Sequence, residues 1–382
     1  MGSVGLVLTG GGARAAYQVG AVRALAEIAG PGPGPFEVIT GVSAGAVNGV
    51  SLAAGADDFR GAAARLSALW LDLAPEKVYR TDAARLLGVG TRWMRELGGG
   101  GLLGASDINF LLDTSPLREY LRRHLPVPRM RRHIRTGVLR GVAVSATNYH
   151  NGHAVTFFDG TAEVQPWVRS TRIGVREHLK LDHVMASSAI PVIFPPVRIR
   201  GVYFGDGCVR LLSPLSPAIH LGAGRIVAVG VRHVAAAVAT RPEDGPLPIS
   251  AIAGLLLNAV FLDSLEGDAE RLERMNRTLA LLGPSERARL PERLREIPLL
   301  VLRPSRDLGE LAHDQYRRFP RLLRYLLKGV GAKGEGGSDL LSYLAFEPVY
   351  VGRCQDLGYE DTMRRRPEVE AFLAAGRSDA GA

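Results

Sequence analysis

Cysteine is nearly absent: Cys208 and Cys354 are the only two in 382 residues. That excludes a disulfide framework and a cysteine-rich metal site, and it suits a reducing compartment. Long apolar runs are missing too. The longest, residues 249–262, is interrupted by Ser250, Gly254 and Asn258 and falls short of the ~20 residues that span a bilayer. The opening MGSVGLVLTGGG has no basic stretch followed by a long apolar one, so no export signal is expected. There is no internal repeat. No zinc-finger spacing or RNP-like aromatic motif accompanies the basic residues, so no nucleic-acid partner is expected. These absences point to a cytoplasmic location.

What is present is hydrophobic content and positive charge. With 46% hydrophobic residues, the chain can bury a large core and is far from a disordered composition. The formal charge of +9 favours anionic partners such as an acidic membrane surface, although arginine scattered among alanine, glycine and leucine also fits a bias of residue usage. Arg122, Arg123, Arg129, Arg131, Arg132 and Arg135 form one basic cluster. Arg317, Arg318, Arg321 and Arg324, with Tyr316 and Phe319, form a second. Each reads either as a membrane-facing patch, peripheral on the inner face of the membrane, or as a solvated helix face.

Residues 4–8 form a short apolar run ended by Gly10-Gly11-Gly12, after which Ala15, Ala16, Val19, Val22, Leu25 and Ala26 recur at helical spacing. Residues 36–40 form a second such run, followed by Gly41-Val42-Ser43-Ala44-Gly45 and a helix-compatible segment to Ala54. Two strand-turn-helix units imply parallel strands with right-handed crossovers and a ligand site beyond their carboxyl ends. Further strands are expected at 138–147 and 154–158, joined by a hairpin turn, and at 197–204, 225–231 and 299–302. Gly98-Gly99-Gly100-Gly101 suits a movable flap or a plain surface loop. One catalytic domain over 1–305, with a helical extension over 306–382, is the expected division.

The Gly41–Gly45 turn fits a nucleophile elbow, in which a sharp strand-to-helix turn exposes a serine and tolerates only small neighbours. At a helix N-terminus, Ser43 also lies beside free backbone N–H groups and the positive end of a dipole, both favourable to an oxyanion. Gly10, Gly11, Gly12, Ala13 and Arg14 can present successive N–H groups as an oxyanion hole. The same glycines, Gly10 and Gly12 with Ala15, loosely match a dinucleotide fingerprint, but the second strand ends in Thr40 and runs into the Ser43 elbow, and its acidic residue, Glu37, lies at the wrong end to bind ribose. None of the nine histidines (124, 133, 150, 153, 178, 183, 220, 233 and 313) sits in a recognisable catalytic setting. Asp206, between Gly205 and Gly207 after an apolar run, is either a carboxylate exposed at the site edge or an ordinary Asp-Gly turn.

Taken together, Gly10-Gly11-Gly12-Ala13-Arg14, Gly41-Val42-Ser43-Ala44-Gly45, Ala186-Ser187-Ser188-Ala189-Ile190-Pro191 and Asp206-Gly207 resemble, in order, the motifs of patatin-like phospholipases. The resemblance covers residues 4–302. It implies a three-layer α/β fold with a mostly parallel central sheet flanked by helices. It also implies Ser43 as nucleophile, Asp206 as its base without histidine, a first glycine block serving as oxyanion hole with Arg14 supporting it, and no metal or organic cofactor. Two positions depart from the pattern. Ala15 replaces a glycine, which would tighten the oxyanion turn; Cys208 replaces another, where a small residue preserves the turn and a buried, inert thiol is expected.

The implied reaction is hydrolysis of carboxylic esters of phospholipids, lysophospholipids or related acyl lipids through an acyl-enzyme. An acyl lipid is the expected substrate, met by transient contact with an anionic membrane surface. An NAD(P)-dependent oxidoreductase using the first glycine turn, or a non-catalytic lipid-binding protein, would be the alternatives. The sequence sets no oligomeric state.

Overall fold

The computed structural model describes residues 3–80, 110–234, 249–290, 294–312, 324 and 338–378. The expected flap at Gly98–Gly101 lies outside them, as do His313 and all of the second basic cluster except Arg324.

The first half is built as expected. Strand β1 (Ser3–Leu8) runs through a one-turn 3-10 helix (Gly12–Ala15) into α1 (Ala16–Ala29), and β2 (Val38–Val42) leads at once into α2 (Ala44–Ala53). Helix α3 (Phe59–Leu71) starts at Asp58, whose carboxylate accepts from the Gly61 N–H at 2.9 Å, a side-chain cap for a donor that otherwise has no partner in the first turn. Two basic helices follow, α4 (Ser115–His124) and α5 (Val127–Arg135). Strands β3 (Gly141–Asn148) and β4 (Ala154–Gly160) form the anticipated hairpin. After these come β5 (Trp167–Val168), β6 (Arg172–Arg176), α6 (Leu181–Ser187), β7 (Val197–Ile199), β8 (Val202–Asp206), α7 (Ser216–His220), β9 (Ala223–Val229), α8 (Ile249–Phe261), α9 (Asp263–Ala280) and β10 (Leu299–Leu302). The chain closes with α10 (Ser338–Leu344), α11 (Pro348–Arg364) and α12 (Arg366–Ser378).

The central sheet has the order β10-β9-β1-β2-β3-β4-β6-β5. From β10 to β3 every pairing is parallel; antiparallel pairing enters at β3, which meets both β4 and β8. The expected single strand over 197–204 is instead two strands. Arg200 and Gly201, both at positive φ, turn β7 back into β8. An arginine in that turn carries none of the Asn-Gly signal by which such hairpins are read.

Side chains alternate between two cores, as the period-two geometry of a strand requires. Leu6, Leu8, Val227, Val229, Leu300 and Leu302 pack on one side of the sheet; Val7, Ile226, Ala228 and Val301 pack on the other. The layers are therefore helix, sheet, helix. The first core takes in α1, α2 and α3, and also Tyr343, Tyr350, Val351 and Leu357 from beyond residue 305. Helix α11 approaches α1 so closely that a Cβ on Gly20 would overlap the carbonyl of Gln355, and one on Gly358 that of Tyr17. Gln355 also accepts from the Ser67 hydroxyl at 2.6 Å, which ties α11 to α3.

Candidate active site

The elbow is strained where the sequence requires it. Ser43 has φ 56° and ψ −130°, a conformation that costs a non-glycine residue on the order of 1–3 kcal/mol. Its flanks explain the spacing of the motif: a Cβ on Gly41 would collide with the carbonyl of Gly45, and one on Gly45 with the carbonyl of Leu8. The turn is held from outside. The Ser43 N–H donates to the Ser187 hydroxyl at 2.8 Å, Ser187 donates onward to the Ser145 carbonyl at 2.6 Å, and the Ser188 hydroxyl donates to the Ser43 carbonyl at 3.1 Å. The serines of the Ala186–Pro191 block thus brace the elbow. The sequence marked the block but not this role, which depends on α6 packing against β3.

Asp206 reaches the same point from β8. The Ser43 hydroxyl donates to Asp206 Oδ2 at 2.6 Å, and Oδ1 accepts from the Cys208 N–H at 2.9 Å. Both residues are buried, Ser43 at 2% and Asp206 at 0% exposure. Burial pushes the Asp206 carboxyl up to about 7, against the opposing pull of the hydrogen bonds from Ser43 and Cys208. The reason the two meet lies in β3. Its residues 141–145 pair with β2 and residues 146–148 with β8, so that Val42 lies opposite Ser145 and Asp206 opposite Ala146. No described histidine bonds to either residue; His183, the most deeply buried of them, lies tilted against the Phe157 ring and is held below its ordinary range, chiefly by burial.

The glycine loop closes the third side. Gly11 and Gly12 have φ 150° and 56°, which side-chain-bearing residues rarely adopt. A Cβ on Gly12 would strike the carbonyl of Tyr343, and one on Gly10 the thiol of Cys208. Ala13 is buried in the 3-10 turn. Arg14, also buried, donates from Nε to the Ser342 hydroxyl at 2.6 Å and lies over the Tyr343 ring, 4.7 Å from its centre. Ala15 takes an ordinary helical conformation (φ −66°), so the first departure from the family pattern introduces no strain. Cys208 is buried, and burial together with the Asp206 charge holds its thiol well above the usual range, as the inert reading requires.

Behind the loop runs a buried polar chain that sequence inspection missed. Gln18 Nε2 donates to the Thr9 carbonyl at 2.8 Å, Asn48 Nδ2 donates to Gln18 Oε1 at 3.0 Å, and Trp70 Nε1 donates to Asn48 Oδ1 at 2.7 Å. Such a satisfied network fixes α1, α2 and α3 against one another. Beside Ser43 lies a small apolar cavity of about 40 Å³, walled by Val47, Leu69, Trp70, Ile190, Phe194 and Phe346 among others. Among the described residues no group of three or more His, Cys, Asp or Glu side chains is arranged to hold a metal ion, and no helix is long and apolar enough to cross a membrane.

Comparison with known proteins decides the family. The sequence profile described as patatin-like phospholipase matches residues 6–219, which contain the glycine loop, the elbow and Asp206. The chain belongs to the patatin-like phospholipase family. No curated protein sequence matches this patatin-like chain. Among solved structures it is similar to VipD from Legionella pneumophila (14% identity, TM-score 0.34, 96% of this chain and 67% of that one). It is also similar to human GIVD cytosolic phospholipase A2 in complex with methyl gamma-linolenyl fluorophosphonate (13% identity, TM-score 0.42, 98% of this chain). The patatin-like chain spans 59% of the length of that human protein.

Proposed function

We propose that this protein hydrolyses carboxylic ester bonds of acyl lipids, phospholipids or lysophospholipids among them, with Ser43 as nucleophile and Asp206 as its base. The observation that carries the reading is the 2.6 Å hydrogen bond from Ser43 to Asp206, buried at the mouth of an apolar cavity. Ser43 Oγ attacks the acyl carbon as its proton passes to Asp206 Oδ2. The oxyanion accepts from backbone N–H groups of the Gly10–Arg14 loop, and the leaving alcohol takes the proton from Asp206. Asp206 then deprotonates a water that attacks the acyl-enzyme, which releases a fatty acid and restores Ser43.

Contact with a lipid surface fits the same reading. Ile252, Leu255 and Leu256 of α8 are 46%, 67% and 62% exposed, and that helix ends in Phe261, which borders Gly10. Of the first basic cluster, Arg122 and Arg123 pair with Glu119 at 2.6 and 2.8 Å, and Arg131 lies 3.6 Å from Asp159. Arg129, Arg132 and Arg135 make no ion pair among the described residues and remain available to anionic head groups. A dinucleotide has no comparable support, since Gly10, Gly11 and Gly12 are packed by Cys208, Val231 and Tyr343. A non-catalytic role would leave the strained Ser43 without a task.

A fluorophosphonate probe should label the folded wild-type protein at one site per chain, with the adduct mapped to Ser43 and absent from Ser43→Ala. A folded wild type that takes no label would overturn the hydrolase reading. Because Asp206 must be ionised to accept a proton, and its carboxyl is pushed up to about 7, kcat/KM on a soluble ester should fall about tenfold per pH unit below that point and level off above it. A profile flat between about pH 5 and 8, or one that rises toward acid, would exclude Asp206 as the base.

A further inference from the structure

A second cavity, of about 430 Å³, lies away from the dyad, and its volume is in the range of about 300–1,000 Å³ typical of small-molecule sites. It touches Gly222, where β9 begins. Ser43, by contrast, follows the end of β2, and β9, β1 and β2 run parallel. A strand length, roughly 20 Å at about 3.3 Å per residue, therefore separates the two. Nothing in the proposed reaction uses this second space.

Its walls are of two kinds. Ile219 of α7, Leu272 and Met275 of α9, and Ile297 supply an apolar floor. Arg169, Arg172, Arg271 and Arg295 supply four guanidinium groups, against two carboxylates, Glu163 and Asp268. Asp268 is engaged: its Oδ2 accepts from the Leu215 N–H at 3.0 Å, and its Oδ1 lies 3.4 Å from Arg271. Arg169, Arg172 and Arg295 make no ion pair among the described residues, although the Asp268 carboxylate attracts Arg172 from beyond ion-pair distance. Arg169 donates to the Val168 carbonyl at 3.2 Å and Arg295 to the Ala223 carbonyl at 3.1 Å, which positions their planar forks and leaves their charge uncompensated. His220 completes the rim, stacked 4.5 Å from the Trp167 ring.

An apolar floor beneath unpaired guanidinium groups is complementary to one class of molecule. We propose that this cavity binds a single-chain anionic amphiphile, with its head group on Arg169, Arg172 and Arg295 and its alkyl chain along Ile219, Leu272 and Met275. A long-chain fatty carboxylate and a lysophospholipid with an anionic phosphate share that chemistry. Either would make charge-assisted hydrogen bonds at the rim, which are the strong ones, and would remove apolar surface from water below it.

The test reads binding, not turnover, and so stands whether or not the hydrolase reading does. Monomeric laurate, lauroyl lysophosphatidate and the neutral dodecanol are titrated into the full-length Ser43→Ala protein by calorimetry. Trp167 fluorescence reports occupancy beside His220. Laurate or the lysophosphatidate should bind and dodecanol should bind at least tenfold more weakly, and the preferred anion identifies the head group. Arg172→Glu should lower affinity about tenfold or more, the worth of one charge-assisted contact. Arg169 is exposed, so Arg169→Glu provides a second reversal that leaves the core untouched. Trp70→Ala, in the cavity beside Ser43, should leave this binding unchanged. Equal affinity for dodecanol, indifference to both charge reversals in folded protein, a loss in Trp70→Ala that matches theirs, or no binding of either anion would overturn the proposal.

Discussion

Asp206→Asn should cut turnover of a short-chain ester about 10²- to 10⁴-fold, the usual contribution of a general base, while the protein becomes more stable at alkaline pH. The asparagine is close in shape. Its oxygen can accept from the Cys208 N–H, and its amide can donate to Ser43, so both hydrogen bonds around Asp206 keep a partner, but the side chain has lost its proton affinity. The stability change follows from the direction of the pKa shift. Burial raises the folded carboxyl to about 7 from an unfolded value of 3.8, so between those values the folded state holds a proton that the unfolded state has released. Wild-type stability therefore declines as pH rises through that window, and the desolvation cost is complete above it. The variant escapes this cost. Its advantage in thermal or denaturant unfolding should be absent near pH 4, grow toward neutrality and then level off. Ser43→Ala, which removes the nucleophile, should lose on the order of 10⁶-fold. An Asp206→Asn enzyme with near-normal turnover, or one destabilised at every pH, would contradict the role assigned to this carboxylate.

The second large effect is on stability. Gly20→Val places a side chain where the Gln355 carbonyl already sits, and backbone leaves no rotamer by which to yield. Overpacking of this kind costs about 3 kcal/mol, enough to lower the unfolding midpoint by roughly 5 °C or more. The effect should reach the glycine loop as well, because Ser342 and Tyr343, just ahead of α11, are the residues that hold Arg14 and Gly12. Gly267→Ala is the control. Gly267 is exposed in α9 and has open space around its Cβ position, so this change should be neutral or stabilise by up to about 1 kcal/mol. Equal unfolding midpoints for Gly20→Val and wild type would mean that α11 does not pack on α1 as described.

The contrast between these two glycines shows where a sequence is legible. In a helix both read as weak points, and only the distance to a partner 335 positions away in the chain, at Gln355, separates the costly site from the harmless one. The elbow and the first glycine loop could be read because each is a contiguous run of small residues, although only Gly41 is demanded by a near neighbour, Gly45; Gly45 is demanded by Leu8, Gly10 by Cys208 and Gly12 by Tyr343. The β3–β4 hairpin announced itself through its turn residues. The split of 197–204 did not, because Arg200 adopts its positive φ within the tertiary fold. Ser187 and Ser188 stood in a visible motif, yet their partners, Ser43 and Ser145, are more than 40 residues away. The tail carried no motif, and its place against α1 rests on close backbone approach, for which sequence periodicity has no symbol.

Strand β3 acts as a ruler for the site. Two of its adjacent residues, Ser145 and Ala146, set the ends of β2 and β8, and so set the gap between a serine and an aspartate that are 163 positions apart in the chain. A slip of one residue in either pairing would shift one partner by about 3.3 Å and turn it to the opposite face. Chains caught in a misregistered sheet, or still being synthesised and short of β8, therefore lack the contact between Ser43 and Asp206 on which the proposed reaction rests. On the proposed mechanism, the nucleophile gains its base only once the whole sheet has formed in register.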